Sequence, residues 1–489
     1  MAGTHSGAGK TTVATGLMAA FASRGLVVGS AKVGPDFIDP GYHRLATGRT
    51  GRNLDVHLSG AGAVQALAAR AAEGSDLLVV EGVMGLFDGV GATTESSTAQ
   101  VAELLDAPVL LVVDASSLSA SVAALVHGFD DMLCRTTGRR VAGVVLNRVG
   151  SDTHRSLLAE ALDPVGVPVL GSLRRDPAFA WRDRHLGLVP VVEHPGEVAA
   201  ALAKLAGAVE RSVDLAAVEL LARGAPATGP VAPLPQARPV AGPPVPVAVV
   251  AGPAFSFLYP DNVERLGEAG ADLLPFDPLE ADRLPPGARA LYAGGGYPEM
   301  FAEALAANGP LLADVRRKVG AGMVTWAECG GLLWLCRSVD GHPLCGAVPA
   351  DGRMTDGLAV GYRTATVRRA NPVAPPGETI RGHVLHYSAV EPAGDALELS
   401  GRAGSSPGGW ATPTSLASYL HVHLATRPDL AERFVGAAGR TTTSAVVEPE
   451  GTTDGHHPGD EPGDERLTAG RVGSRRRGRS GSGGRVPPS

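Results

Sequence analysis

Short apolar runs alternate with helical patterns through residues 10–210, and this alternation limits the possible folds more than any other feature. The runs LVVGSAKV, LLVVEG, PVLLVVDA and VAGVVLN are apolar at consecutive positions, which is typical of strands buried on both faces. Between the runs lie helical patterns, as in residues 12–24, where Val13, Leu17 and Phe21 share one face and Gly25 favours an end. Strands and helices in this order predict an α/β fold with a doubly wound parallel sheet.

The alternation stops in residues 222–246, a segment rich in Pro, Ala and Gly that we interpret as a linker. With 489 residues the chain is long enough for two cores, and a second α/β pattern starts at VAVVAG. We therefore expect two doubly wound domains, 1–221 and 247–438. Residues 439–489 contain little that can be buried and are predicted to be disordered, including the arginine-rich stretch 475–479.

Charge and hydropathy exclude several classes of protein. A net charge of −7 argues against general affinity for nucleic acid. No apolar run reaches the roughly 18 residues of a membrane-spanning helix, and no signal segment opens the chain. Four cysteines are too few and too scattered for a disulfide framework or a zinc site. We expect a cytoplasmic protein without nucleic-acid or membrane partners.

The opening GTHSGAGKTT has the composition of a loop that binds phosphate. Glycine amides point at the anion, the next helix directs its positive end toward it, and a lysine completes the charge. Gly7, Gly9 and Lys10 fit these tasks, while Thr11 matches the hydroxyl that binds Mg²⁺ and Thr12 follows it. Five residues separate Gly3 from Gly9 where the common motif has four, so the loop is a variant of that motif.

Polar side chains follow the next predicted strands. The carboxylates in question are Asp36, Asp39, Asp55, Glu81 and Asp88. Because the carboxyl ends of parallel strands share one edge, these acids should gather near the phosphate loop, with Mg²⁺ between them and the nucleotide. Helix capping or turn formation is the alternative, above all for Asp88. Asn147, at another strand end, either reads a nucleotide base or forms a turn.

A second pattern predicts a nucleophile. MVTWAECGGLLWL places Cys329 between an apolar strand and an apolar helix, with Gly330 directly after it. Such an elbow exposes a thiol at a helix N-terminus, where the dipole favours the thiolate and the next amide can stabilise an oxyanion. Gly295, within ALYAGGGYPE, is a candidate second donor. His421 and His423, alternating along a strand-like segment, are candidate bases, and His383 and His386 compete for that role.

Eight segments in order resemble those of cobyrinic and hydrogenobyrinic acid a,c-diamide synthases. They are GTHSGAGKTT, KVGPDFIDPGYH, RNLD, EGVMGLFDG, GPAFSFLYPDN, LYAGGGYPE, AECGGLLWL and SYLHVHLA. The resemblance covers residues 1–436. It implies an N-terminal ATP-binding domain similar to dethiobiotin synthetase and a C-terminal domain similar to class I glutamine amidotransferases. It also explains the five-residue spacing of the phosphate loop, and KVGPDFIDP favours this family over the related cobyric acid synthases.

The resemblance implies a carbon-nitrogen ligase of cobalamin biosynthesis that uses ATP, Mg²⁺ and L-glutamine to amidate two carboxylates of a corrinoid acid. It makes Cys329 the glutaminase nucleophile, His421 its base, and Thr11 and Glu81 the metal ligands. Ordinary class I amidotransferases carry a glutamate two residues after that histidine, where this chain has His423. We therefore expect a Cys-His pair. RGHVLHYS departs from the usual GHEFHYS at Val384 and Leu385, which alters local packing or substrate contact.

Three other readings stay open at this point. A nickel-sirohydrochlorin a,c-diamide synthase is the nearest, a nucleotide-driven switch of the partitioning type needs no Cys329 elbow, and a scaffold with an inactive amidotransferase domain needs neither Cys329 nor His421. The resemblance also permits a homodimer. Relatives place an apolar strand before the glycine loop, where this chain has only Met1 and Ala2, so we expect the true translation start to lie upstream.

Overall fold

A computed structural model describes residues 1–179, 183–184, 187–226, 231–402 and 404–440. Most of the segment predicted to be disordered, including the arginine-rich stretch 475–479, lies outside the described residues. In the described part of the chain, no helix combines the length and apolar character needed to cross a membrane.

The N-terminal domain alternates strands and helices. Its strands are β1 Ala2–Gly3, β2 Val28–Val33, β3 Arg52–Leu54, β4 Leu77–Glu81, β5 Val109–Asp114, β6 Val141–Val149, β7 Val169–Arg174, β8 Asp183–Arg184 and β9 Gly187–Leu188. Its helices are α1 Lys10–Ser23, α2 Asp39–Thr47, α3 Val56–Ser59, α4 Ala61–Ala72, α5 Thr98–Leu104, α6 Ser121–Thr137, α7 Asp152–Leu162, α8 Pro195–Ser212 and α9 Leu215–Arg223. Three 3₁₀ turns span Asp163–Val165, Pro177–Phe179 and Val191–Glu193.

Strands β1 to β7 form parallel ladders in two groups, β3-β2-β4 and β1-β5-β6-β7. Apolar cores lie on both faces of β5 and β6, as their uninterrupted apolar runs predict. The predicted doubly wound parallel sheet is therefore confirmed for this domain.

Met1 joins the two groups of strands. Its amino group donates to Val80 O and its carbonyl accepts from Gly82 N, each at 2.8 Å, while Ala2 pairs with Leu111 of β5. Beyond Met1 an apolar cavity of about 330 Å³ separates β4 from β5. The cavity is lined by side chains that include those of Phe21, Leu26, Val79, Leu110 and Leu221. A further strand would fit between the facing edges of β4 and β5.

The C-terminal domain contains a second α/β layer and a separate, largely antiparallel sheet. Its strands are β10 Val245–Val250, β11 Ala271–Phe276, β12 Ala290–Ala293, β13 Val324–Glu328, β14 Ser338–Val339, β15 His342–Pro343, β16 Asp351–Val367, β17 Thr379–Glu391, β18 Leu397–Gly401, β19 Gly404–Gly408, β20 Trp410–Thr412 and β21 Ser415–Ser418. Its helices are α10 Pro260–Glu268, α11 Ala302–Ala307, α12 Gly309–Gly320, α13 Gly330–Leu335 and α14 Pro428–Arg440, with a 3₁₀ turn at Pro298–Phe301.

The α/β layer has the strand order β11-β10-β12-β13-β21-β20, parallel except for the last pair. Cys329 follows β13 and His421 follows β21, and these two strands are neighbours. The second sheet is built around the long hairpin of β16 and β17. Sequence periodicity does not predict this hairpin, because its strands carry Gly and polar residues at positions that break the alternation.

The segment interpreted as a linker is ordered at its C-terminal side. Ala237 N donates to Glu268 Oε2, Arg238 N donates to Glu432 Oε1, and Val240 N donates to Ala269 O. Residues 237–240 are thus attached to the C-terminal domain. The exact boundaries at residues 221 and 247 remain predictions.

Candidate active site

The phosphate loop lies between β1 and the first turn of α1. Gly7 and Gly9 have φ angles of 81° and 90°, a conformation that favours glycine. A Cβ atom on Gly9 would lie 2.0 Å from Asn147 Nδ2, so no larger residue fits there. Asn147 Nδ2 donates to Ala8 O at 3.0 Å. Asn147, predicted either to read a base or to form a turn, therefore braces the loop from the end of β6.

Lys10 is buried at the start of α1, where its Nζ donates to His5 O at 3.2 Å. Burial lowers the pKa of Lys10 to about 8, and the nearby Lys32 ammonium adds to the effect. A polyphosphate held by the loop would reverse this shift, because a neighbouring anion favours the charged form of a lysine.

Oxygen atoms of three side chains meet beside the loop. Thr11 Oγ1 donates to Glu81 Oε1 at 2.7 Å and to Asp39 Oδ2 at 3.3 Å. Lys32 Nζ lies 2.5 Å from Asp39 Oδ2 and 2.8 Å from Glu81 Oε1. His43 Nε2 lies 2.6 Å from Glu81 Oε2. Two carboxylates, one hydroxyl and one ammonium group thus form a buried network at the carboxyl edge of the sheet.

The charges of this network compensate one another. Burial opposes ionisation of Glu81, but Lys32 and His43 outweigh it and hold the pKa of Glu81 below its ordinary value. Burial likewise disfavours the charged form of Lys32, yet Asp39 and Glu81 raise its pKa. Burial raises the pKa of Asp39, and the Asp36 and Glu81 carboxylates raise it further. Glu81 is therefore the ionised oxygen donor of the group.

These donors fit Mg²⁺ better than a metal that takes all its ligands from protein. Within the described ranges no three or more His, Cys, Asp or Glu side chains are arranged to hold a metal ion. Mg²⁺ ordinarily takes one or two carboxylates and completes its shell with phosphate and water. Thr11 and Glu81 provide a hydroxyl and a carboxylate in contact with each other beside the phosphate loop.

The remaining predicted acids have other contacts. Asp36 Oδ1 accepts the backbone N–H groups of Ile38 and Asp39, and Asp88 Oδ2 accepts that of Gly85. Both side chains therefore fix turns, as expected if these acids shape the backbone and do not bind a metal. Asp55 caps α3 by accepting from Leu58 N at 2.9 Å and also accepts from Tyr362 Oη at 2.8 Å.

That Asp55 assists substrate or metal binding stays a prediction, and the contacts of its carboxylate are with α3 and with a tyrosine of the C-terminal domain. The sequence placed Asp55 at the right edge of the sheet. It did not reveal that the other domain covers that end of β3.

Cys329 occupies a strained elbow between β13 and α13. Its φ and ψ angles are 48° and −101°, and positive φ is costly for a residue with a Cβ atom. Its backbone N–H donates to Ser418 O at 2.7 Å. A Cβ atom would lie 2.9 Å from Gly296 N if placed on Gly330, and 2.3 Å from Ala293 O if placed on Gly331. The glycines are needed because the elbow packs tightly on residues 293–296.

The expectation that the helix favours the thiolate is wrong for this state of the protein. Burial raises the pKa of the Cys329 thiol, and the Glu299 carboxylate raises it further, while the Gly330 N–H lowers it only in part. Helix α13 has six residues, too short a dipole to offset full burial. Cys329 therefore needs a base to accept its proton.

His421 is the buried candidate base. A Cβ atom on Gly295 would lie 2.4 Å from His421 Cε1, so the ring rests on the glycine-rich segment that also supports the elbow. Cys329 Sγ lies 3.8 Å from Leu385 O. In the described part of the chain, neither ring nitrogen of His421 has a hydrogen-bond partner. Burial lowers the pKa of His421 to about 3, so it is neutral and able to accept a proton.

The other three histidines have different partners. His423 Nδ1 lies 3.2 Å from Ser59 Oγ and its Nε2 lies 3.7 Å from Asp261 Oδ2, at the junction of the two domains. The prediction that His421 and His423 alternate along a strand is wrong. Strand β21 ends at Ser418, and beyond it His421 makes only an isolated backbone bridge to His383.

His386 and His383 are less suitable as the base than His421. The His386 ring stacks on Tyr419 at 3.6 Å between centroids, and its Nδ1 lies 2.8 Å from Ser388 O. His383 exchanges backbone hydrogen bonds with His421. Burial lowers the pKa of His383 to about 3 and that of His386 to about 4.

Aromatic residues of both domains surround His421. Phe37, from the loop between β2 and α2, lies 4.2 Å from Tyr259 and 5.2 Å from Phe257, measured between ring centroids. Tyr259 Oη donates to Pro35 O of the same loop at 3.1 Å. The two candidate sites are therefore parts of one packed structure.

Sequence reasoning missed three residues that the structure places in these sites. Lys32 stands within an apolar run, an exception that signals a buried charge with partners. Glu328 ends an apolar strand directly before the nucleophile, and an acidic residue at such a position likewise indicates a buried charge with partners. Phe37 gave none, because an aromatic residue in a loop shows its partners only in three dimensions.

Comparisons with known proteins agree with this architecture. Residues 1–188 match the family model described as the CobQ/CobB/MinD/ParA nucleotide binding domain. Residues 246–429 match the model described as the CobB/CobQ-like glutamine amidotransferase domain. The fold and the two sites thus define a glutamine-dependent amide ligase with a nucleotide-binding domain.

Proteins similar over nearly their whole length define the family. The hydrogenobyrinate a,c-diamide synthase of Streptomyces coelicolor is 46% identical over 469 residues, covering 89% of this chain and 96% of that protein. The enzyme of the same name from Thermobifida fusca is 48% identical, covering 88% and 94%. The cobyrinate a,c-diamide synthase of a Synechococcus species is 39% identical, covering 90% and 98%. The chain belongs to the a,c-diamide synthase family.

Proposed function

We propose that this chain amidates the a and c side-chain carboxylates of hydrogenobyrinate or cobyrinate, using ATP and the amide nitrogen of glutamine. The observation that carries the proposal is the joining, within one packed structure, of a phosphate loop with its acidic network to a Cys329 elbow with a buried histidine. The relatives named for hydrogenobyrinate are more similar to this chain than the one named for cobyrinate, which favours the cobalt-free substrate.

A carboxylate resists attack by ammonia because its oxygen is a poor leaving group, so ATP first converts it to an acyl phosphate. The amides of residues 7–11 and the Lys10 ammonium would face the transferred phosphoryl group and stabilise its developing charge. Mg²⁺, held by Thr11 and Glu81, would neutralise further charge on the phosphates when bound. Asp39, in contact with Thr11 and Lys32, would hold these two side chains in place beside the cation.

Glutamine supplies the nitrogen in the other domain. Cys329 Sγ attacks the side-chain amide carbon, its proton passes to His421, and His421 returns the proton to the leaving nitrogen as ammonia departs. The amides of Gly295 and Gly330 are the proposed donors to the oxyanion. Water then hydrolyses the thioester to glutamate. Cys329 Sγ lies 3.8 Å from Leu385 O, and we propose that glutamine binding turns the thiol toward His421.

Ammonia must reach the acyl phosphate before it is protonated in bulk water. A mostly apolar cluster of both domains lies beside His421 and limits the access of water. Its members are Phe37, Ile38, Tyr42, Val191, Val198, Phe257 and Tyr297. We propose that this cluster borders the protected route between the sites.

The test is a parallel incubation of the purified protein with hydrogenobyrinate, cobyrinate and nickel-sirohydrochlorin, each with ATP, Mg²⁺ and glutamine. Mass spectrometry counts the amides formed. Two amides on hydrogenobyrinate or cobyrinate are expected, and none with the Lys10→Ala variant. Amidation of nickel-sirohydrochlorin alone, or of none of the three by active glutaminase, would contradict the proposal. A homodimer remains a prediction, which sedimentation velocity can check.

A further inference from the structure

We propose that Glu328 is the carboxylate that positions His421 and balances its charge during glutamine hydrolysis, an inference that rests on the proposed function. A chain with a histidine two residues after the base would otherwise depend on a Cys-His pair alone. Glu328 is next to the nucleophile in sequence but was not expected to take part. In this role it is a positioning residue and forms no bond to the substrate.

The geometry brings two unpaired polar groups together. Glu328 is the last residue of β13 and only 2% exposed. Its Oε2 lies 3.8 Å from His421 Nδ1. In the part of the chain that the structure describes, Glu328 Oε1 and both ring nitrogens of His421 have no hydrogen-bond partner. Buried polar atoms left without partners are costly, so their approach here indicates a function.

His421 Nδ1 faces Glu328, whereas its Nε2 faces the other side. A Cβ atom on Gly295 would lie 3.3 Å from Nε2, which places that nitrogen toward the glycine-rich wall of the elbow. A base that accepts the thiol proton at Nε2 becomes positive, with an N–H at Nδ1. A shift of about 1 Å would bring that N–H within hydrogen-bond distance of the Glu328 carboxylate.

The carboxylate itself is fixed by the domain core. The backbone N–H of Val422 and the hydroxyl of Tyr292 stabilise its ionised form. Asn262 Nδ2 donates to Tyr292 Oη at 3.1 Å and to Val422 O at 2.7 Å, which ties these groups into one network. Glu328 therefore has a rigid position from which to orient a ring on the neighbouring chain segment.

His423 is unable to take this role because its ring is committed elsewhere. Its nitrogens face Ser59 Oγ and Asp261 Oδ2 at the domain junction. Glu328 thus offers His421 a carboxylate in a chain that has no glutamate at position 423. No atom is exchanged at Glu328: the proton moves from Cys329 Sγ to His421 Nε2 and then to the leaving nitrogen.

The ionisable groups that surround Glu328 define how the pair should titrate. They are Cys329 directly after it, Tyr292 on β12, Tyr259 before α10 and His421 itself, which in turn lowers the pKa of His383 on β17. Burial raises the pKa of Glu328 to about 8. The competent form therefore has Glu328 already ionised, which the resting protein favours above about pH 8, and an imidazolium formed 3.8 Å away would lower the pKa of Glu328 and favour the same form.

The test compares Glu328→Gln with Glu328→Asp in the full-length protein, with Glu303→Gln on the exposed surface of α11 as the matched control. Glutamate release is measured as kcat and KM across pH, together with the rate of Cys329 alkylation by iodoacetamide. Glu328→Gln should lower kcat by about 10²-fold to 10⁴-fold, with KM for glutamine unchanged and an altered pH profile of alkylation. Glu328→Asp should restore part of kcat, and Glu303→Gln should match the wild type.

Amidation with ammonium chloride shows whether the fold is intact, and should be unchanged in Glu328→Gln. Loss of this activity as well would overturn the inference, because Glu328 would then act through the fold. A Glu328→Gln variant with wild-type kcat and pH profile would also overturn it. Glutamate release that persists in Cys329→Ser would instead refute the proposed function, so the two failures are distinguishable.

Discussion

The ring of Phe37 lies 4.8 Å from the ring of His421, measured between centroids, and is tilted by 46° to it. A residue of the nucleotide-binding domain thus covers the candidate base of the glutaminase domain. Phe37 stands between Asp36, which caps its own loop, and Asp39, which contacts Thr11. A change at the phosphate loop therefore has a short structural path to the glutaminase site.

Removal of the Phe37 ring should change the titration of His421. Burial alone lowers the pKa of His421 to about 3, so water admitted by Phe37→Ala should raise that pKa toward its ordinary value of 6.5. The base must be neutral to accept a proton, and glutaminase activity should therefore be lost at a higher pH on the acid side. The pH profile of kcat/KM for glutamate release measures the shift.

Phe129→Ala is the matched control for this experiment, since Phe129 is a half-buried ring on α6 that stacks on Phe87 at 5.6 Å. The pH profile of kcat/KM for Phe129→Ala should coincide with that of the wild type on the acid side. A Phe37→Ala profile that also coincides with the wild type would show that the ring does not control the hydration of His421.

Asp55 predicts a dependence of stability on pH. Burial raises its pKa from 3.8 to about 6, so the folded state holds the Asp55 proton more strongly than the unfolded state. The contribution of the Asp55 proton to the free energy of unfolding is fully present below pH 4. It is lost as pH rises through 6, and the total loss is about 3 kcal/mol. Asp55→Asn removes this loss, because asparagine can cap α3 without ionising.

The difference in unfolding temperature between Asp55→Asn and the wild type should therefore grow from pH 4 to pH 7. Tyr362→Phe removes a hydrogen bond that favours the ionised form, so the wild-type loss should extend to higher pH in that variant. Thermal unfolding followed by circular dichroism measures both effects. A difference that does not vary with pH would contradict the assignment.

Arg52 joins the two domains through a buried ion pair. Its Nη1 lies 2.9 Å from Asp261 Oδ1 and its Nη2 lies 2.7 Å from Glu264 Oε1, with Asp261 only 1% exposed. Arg52→Met should destabilise the protein by about 3 to 5 kcal/mol, because it leaves the Asp261 carboxylate buried without its main partner.

Arg381 provides the control for Arg52, since it is an exposed arginine that also crosses between domains and donates to His57 O at 3.3 Å. Arg381→Met should change stability by no more than about 0.5 kcal/mol. Differential scanning calorimetry compares the two variants. Equal effects would show that burial of Asp261 is not what makes the Arg52 contact important.

The cavity between β4 and β5 predicts a gain of stability from an added strand. A short Val/Ile-rich extension joined to Met1 would pair with both facing strand edges and fill apolar space of about 330 Å³. Each Val or Ile side chain that becomes fully buried should contribute about 1.5 to 3 kcal/mol before the entropy of ordering is subtracted. The unfolding temperature should rise, whereas a Gly/Ser extension of equal length should leave it unchanged. Equal behaviour of the two extensions would contradict the proposed fit.

Local patterns were sufficient for the phosphate loop and the Cys329 elbow. Neighbouring groups leave no space for a Cβ atom on Gly9 or Gly330, so both positions require glycine. A requirement of this kind leaves a motif that can be recognised in the sequence. The roles of Phe37 and Glu328 could not be predicted from local sequence, because their partners come from other segments of the chain. The thiol pKa was misjudged for a related reason: the sequence shows the helix that follows Cys329 but not the depth at which the thiol is buried.

In the proposed mechanism, a thiol in one domain releases the nitrogen that a nucleotide-activated carboxylate in the other domain consumes. Its most direct test is amidation of the corrinoid acid by Cys329→Ser, with glutamine in one reaction and ammonium chloride in the other. We expect loss of the glutamine-supported reaction and a wild-type rate with ammonium chloride. Loss of both reactions, or amidation from glutamine that persists in the variant, would contradict it.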